Sequence, residues 1–81
     1  MTPQEQSARE NVHRLSRREQ EVLDLLSHGM TNREIASDLL ISPDTVKDHV
    51  RAVRSKLGAR TRVHAAQIAW LARDTTVRNA A

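Results

Sequence analysis

Helix-start signatures recur along this chain and leave it few folds besides a helical one. Ser16-Arg17-Arg18-Glu19 and Thr31-Asn32-Arg33-Glu34 are capping boxes. In each, the hydroxyl accepts the amide three residues on, and the glutamate carboxylate reaches back to the amide of the Ser or Thr. Ser42-Pro43 is a cap followed by proline at the first helical position, where the missing amide proton costs nothing. Asp44 and Thr45 suit that first turn, whose free amides favour negative charge. Thr61 supplies a fourth cap.

Between these starts the apolar residues keep helical spacing. The first helix carries Val22, Leu23, Leu25 and Leu26 and stops at Gly29, a residue that tolerates the left-handed conformation of a helix end. A short second helix turns Ile35, Ala36 and Leu39 inward. The third runs from Pro43 to Leu57 with Gly58 as its stop, and the fourth covers about Arg62 to Arg73. With two glycines, two prolines and no clustering of β-branched residues, a β fold is disfavoured. The expected fold is all-α, with four helices in one domain over residues 15–73.

Residues 1–14 are polar. Thr2-Pro3-Gln4-Glu5 is a capping box of its own, but the apolar content behind it, Ala8 and Val12, is slight. A short helix is the alternative there, but the segment is expected to be an arm or interdomain linker, and residues 74–81 a flexible C-terminal tail. A chain of 81 residues buries only roughly 60–65% of its unfolded surface, so its core is thin.

The third helix carries the most information. Val46, His49, Val50, Val53 and Leu57 share one face, while Lys47, Asp48, Arg51, Arg54 and Ser55 fall away from it. The net charge of +3 is unevenly placed. Acids outnumber cations up to Val46, whereas residues 47–62 hold Lys47, Arg51, Arg54, Lys56, Arg60 and Arg62 against Asp48 alone. A basic segment on a small domain is the footprint of a polyanion binder. The helix before it is short and joined through Leu40-Ile41-Ser42. This is the helix-turn-helix arrangement, whose second helix fits a DNA major groove. Lys47 and Arg51, one turn apart, can enter one groove, and Arg54, a turn further along, is expected to meet a phosphate. Thr45, with the amides at the helix start, can hold a phosphate or serve only as a cap residue.

Other chemistries lack their residues. There is no cysteine, which removes disulfides, thiolate metal sites and thiol nucleophiles. His13, His28, His49 and His64 show no ligand spacing, and His49 is expected to be packed and hydrogen-bonded inside the domain. No Ser-His-acid set, glycine-rich phosphate loop or paired carboxylates occurs in a context that supports catalysis. No enzyme activity, cofactor or metal is therefore expected. Trp70 is the single aromatic residue, too few for a base-stacking surface. No apolar run is long enough to span a bilayer, and none follows Met1 as an export signal; a cytoplasmic location is expected.

Four blocks in order carry a resemblance. They are Leu15-Ser16-Arg17-Arg18-Glu19-Gln20-Glu21-Val22-Leu23; Gly29-Met30-Thr31-Asn32-Arg33-Glu34-Ile35-Ala36; Ser42-Pro43-Asp44-Thr45-Val46-Lys47-Asp48-His49-Val50; and Lys56-Leu57-Gly58-Ala59-Arg60-Thr61-Arg62. Together they closely resemble the LuxR-type helix-turn-helix domain, which also ends the NarL/FixJ response regulators; the match runs from about Leu15 to Leu71. The resemblance implies a four-helix domain that binds double-stranded DNA and regulates transcription. Its third helix would read the major groove and its fourth would form a dimer contact. It places base readout on Lys47, Asp48 and Arg51, and phosphate contacts among Arg33, Thr45, Lys56 and Arg62. Asp48 stands where many relatives have an apolar or neutral residue. An acid there can accept from cytosine N4 or repel the backbone and exclude wrong sites.

The fourth helix is apolar on more than one side. Ala65, Ile68, Ala69 and Ala72 project one way, and Val63, Ala66, Trp70 and Leu71 toward the other. Val63, Gln67 and Trp70 suit a self-complementary contact between two copies, making a homodimer the expected partner state. Alternatively, Trp70 folds back over a thin core. A rival function is a module that pairs with and sequesters related regulators without binding DNA, against which the basic ridge argues. The chain is either a whole protein or the end of a longer regulator. In the second case residues 1–14 would end a linker from a receiver or ligand-sensing domain.

Overall fold

A computed structural model describes residues 1–80, and side chains through Arg73. Five helices occur in the order α1 Pro3–His13, α2 Arg17–Ser27, α3 Asn32–Leu39, α4 Pro43–Leu57 and α5 Arg62–Ala80, with no strand among the described residues. The caps explain the boundaries. Ser16 Oγ accepts from Glu19 N at 3.1 Å while Ser16 N donates to Glu19 Oε1 at 2.8 Å. Thr31 and Glu34 repeat the exchange at 3.2 and 2.8 Å. Ser42 Oγ accepts from Thr45 N at 3.1 Å, with Pro43 opening α4, and Thr61 Oγ1 accepts from His64 N at 3.0 Å. Gly58 ends α4 with φ +66° and Gly29 follows α2 with φ +83°.

Leu40 departs from this pattern. It caps α3 at φ 59°, ψ 43°, a left-handed conformation that disfavours a side chain. It stands 90% exposed at the corner of the helix-turn-helix.

Residues expected to be an arm form a helix, α1, beside the four helices expected. The Thr2–Glu5 capping box is complete, and α1 lies against α5 and α4 with Ala8 buried and Val12 packed on the core. Slight apolar content suffices because Ala8 allows close approach and α5 offers a second apolar side. Part of the surface expected to need a second copy is thus covered from within the chain. The backbone of α5 continues past the expected stop near Arg73 to Ala80. The expected tail, 74–81, falls on residues whose side chains lie outside the described set.

The core gathers Val22, Leu23 and Leu26 of α2, Ile35 and Ala36 of α3, Val46, Val50, Val53 and Leu57 of α4, and Ala65 and Ala69 of α5. Its small residues make α5 a close-packed brace behind α2, and α2 in turn supports α4. The outer side of α4 is left uncovered.

Candidate nucleic-acid interface

Burial along α4 fixes which side it presents. Val46, Val50, Val53 and Leu57 are buried, and at about 100° per residue the opposite side is centred on Asp48 and Ser55. Asp44 and Arg51 lie beside that crest on the side of Lys47, and Thr45 stands on the other shoulder. Lys47, Asp48 and Arg51 are all exposed, and none makes a side-chain hydrogen bond or ion pair among the described residues. Three groups expected to read bases therefore share one solvent-facing surface on a helix held rigidly from behind.

The residues expected at phosphates divide into two kinds. Arg33, in the first turn of α3, is exposed and without an ion-pair partner among the described residues. Thr45 is exposed at the start of α4, its Oγ1 2.8 Å from Ser42 Oγ. Lys56, Arg54 and Arg62 are engaged within the protein. Lys56 Nζ donates to Glu19 Oε1 at 2.8 Å, tying α4 to the cap of α2, yet its side chain stays 45% exposed. Arg54 donates to the carbonyl of Arg60, and its Nε is buried without a partner. Arg62 is half-buried: Nη1 donates to Asn32 Oδ1 and Nη2 to Met30 O, both at 2.6 Å. Burial lowers its pKa from the usual guanidinium value, and the two bonds clamp the start of α5 to that of α3.

Two carboxylates are held ionised by their bonds. Lys56, ahead of the Ser16 amide, draws the Glu19 carboxyl below the usual carboxylate value, and the Thr31 amide does the same for Glu34.

On α5, Val63 (67% exposed), Gln67 and Trp70 (42% exposed) share an outer side. Trp70 folds back onto the end of α2. Its Nε1 donates to Ser27 O at 2.8 Å, its ring meets His28 edge-on at 5.8 Å, and the Arg73 guanidinium lies 4.3 Å from its centroid. Arg73 also pairs with Asp24. The indole thus seals the end of α2 while part of its surface faces outward.

His49 is half-buried on the flank of α4, but makes no side-chain hydrogen bond among the described residues, unlike the bonded histidine expected. No three metal-ligating side chains converge among the described residues. Nothing local in the sequence marks the Glu19–Lys56 tie or the Arg62–Asn32 bond, whose partners lie 37 and 30 residues apart.

Over residues 13–69 the chain matches the family described as bacterial regulatory proteins, luxR family. The uncharacterized transcriptional regulatory protein YhcZ of Bacillus subtilis is 41% identical over 69 residues, which is 85% of this chain and 32% of YhcZ. The spore germination protein GerE of the same organism is 45% identical over 51 residues, 63% of this chain and 69% of GerE. The nitrate/nitrite response regulator protein NarP of Escherichia coli is 49% identical over 51 residues, 63% of this chain and 24% of NarP. The chain spans about a third or less of the length of YhcZ and NarP. No solved structure matches it.

Proposed function

Because the chain belongs to the luxR family of bacterial regulatory proteins, we propose that it is the DNA-binding part of a cytoplasmic transcriptional regulator, with α4 inserted in the major groove of duplex DNA. The observation that carries this is the unpartnered, exposed trio Lys47, Asp48 and Arg51 opposite the buried stripe of α4. A helix of about 10–12 Å diameter fits a groove about 12 Å wide, and the two cations can address guanine O6 and N7 from there. Arg33 and Thr45 meet the flanking phosphates. Lys56 adds a phosphate contact through ammonium protons not used by Glu19. Arg54 and Arg62 act mainly by fixing the α4–α5 loop and the start of α3.

Two copies joined through Val63, Gln67 and the outward part of Trp70 would read two half-sites. The greater length of YhcZ and NarP fits a parent chain in which a receiver or sensor domain precedes this one.

Titration of selected duplexes across a salt series tests the reading. Lys47→Ala should cost about 1–3 kcal/mol and relax preference at one position, whereas Lys56→Ala should weaken all sequences alike and reduce the salt slope by about one. Unchanged affinity and preference in Lys47→Ala would refute the readout. A dimer with no DNA affinity even at low salt would point to the sequestering module instead.

A further inference from the structure

We propose that Asp48 is a specificity determinant that reads a cytosine, accepting a hydrogen bond from N4 of a C·G pair in each half-site. The inference rests on the placement of α4 in the major groove, and it starts from direction. Asp48 lies almost diametrically opposite the direction shared by Val46, Val50, Val53 and Leu57, which are buried. When α4 enters a groove with its outer side leading, the shoulders face the walls and the crest faces the floor. Lys47 and Arg51 have long side chains that can choose between bases and phosphates. Asp48 has a short one at the crest, aimed at the base edges.

A carboxylate brought there leaves water behind and approaches a polyanion, which is unfavourable unless it finds a donor. No internal bond accounts for its charge. Glu19, Glu21 and Asp24 are ion-paired and Glu34 takes its cap amide, whereas Asp48, like Asp38 and Asp44, has no such partner among the described residues, and of the three it alone stands at the crest of α4. The major-groove floor offers two donors, cytosine N4 and adenine N6. Adenine sets the N7 acceptor beside N6, facing the second oxygen of an acceptor-only group. Cytosine sets no acceptor beside N4 on its own edge, so the carboxylate favours cytosine. Arg51, three residues on and on the same side of α4, can take O6 and N7 of the paired or neighbouring guanine. Its charge then offsets that of Asp48.

Selection from a random-sequence duplex pool with wild type, Asp48→Asn and Asp48→Ala tests this, followed by titration of each protein on the best wild-type duplex and its single-pair variants. Asp48 is exposed, so both variants should fold, which thermal melting and binding to a non-specific duplex verify. Wild type should enrich one C·G pair per half-site. Asparagine, which satisfies adenine N6 and N7 together, should convert that pair to A·T. Alanine should lose preference at that pair only and bind non-specific duplex more tightly. Replacing the C·G pair by T·A should weaken wild type by about ten- to hundredfold and Asp48→Ala by less than about threefold. The same motif enriched by all three proteins would overturn the assignment. So would an Asp48→Ala protein that binds every duplex more tightly with discrimination intact, since the acid would then only repel. A wild type that enriches no sequence would instead overturn the DNA-reading function itself, and this inference with it.

Discussion

Replacing Glu19 by alanine tests how the scaffold holds α4. Glu19 is only 7% exposed, and its Oε1 accepts from both Ser16 N and Lys56 Nζ at 2.8 Å. The substitution removes the return half of a capping box, worth about 1 kcal/mol. It also removes an ion pair whose lysine is half in water, worth about 0.5–1 kcal/mol. The expected loss is about 1.5–2 kcal/mol, which for a domain this small lowers Tm by roughly 10 °C. Glu19→Gln retains an acceptor for Ser16 N and loses the charge alone, so it should cost only about 0.5–1 kcal/mol. A double-mutant cycle with Lys56→Ala should give a coupling of about 0.5–1 kcal/mol.

The pH dependence follows from the lowered pKa of Glu19. A carboxyl held below its unfolded value stabilises fully above that value, near ~4.3, and loses the contribution as pH falls through the folded one. The gap between wild type and Glu19→Gln should therefore be present at pH 7 and close below about pH 4. Urea denaturation followed by far-UV circular dichroism at both pH values reads all of these quantities. Additive single substitutions, or a gap that persists unchanged in acid, would refute the idea that this pair ties α2 to α4.

Arg62→Ala should cost about 2–3 kcal/mol in urea denaturation, because charged hydrogen bonds to Asn32 and Met30 are lost; Arg62→Lys should rescue little, since an ammonium cannot span both acceptors. Leu40→Gly should raise stability by about 0.5–1 kcal/mol in the same assay, relieving a left-handed leucine that contributes no burial. Deleting residues 1–14 should lower Tm by about 10 °C in a thermal melt, because it strips Ala8 and Val12 from the core and α5; an unchanged Tm would restore the view of this segment as an arm.

Ser16, Thr31, Ser42 and Thr61 each marked a helix start that the structure realises, because a cap and its amide lie within one turn. The α4 stripe was legible for the same reason, since periodicity alone says which residues share a side. Residues 3–13 carry a visible cap of their own, yet nothing local shows what receives the helix. Whether Ala8 and Val12 are enough to hold a helix depends on the surface that receives them, and α5 is nearly sixty residues away along the chain. The phosphate set was legible as a list of cations but not as a set of roles. Arg33 stays open to solvent, while Arg54 and Arg62 serve their own scaffold.

Legible in the residues alone were the starts of α2, α3, α4 and α5, the stops at Gly29 and Gly58, and the buried stripe of α4. All of these follow from interactions within a turn or two of the backbone. Packing between distant helices sets the rest: α1 folds onto α5, Lys56 meets Glu19, Arg62 clamps α3, and Trp70 seals α2 with part of its surface outward. Those pairings depend on how five helices settle against one thin core, where the fit of distant surfaces, not local spacing, selects each partner.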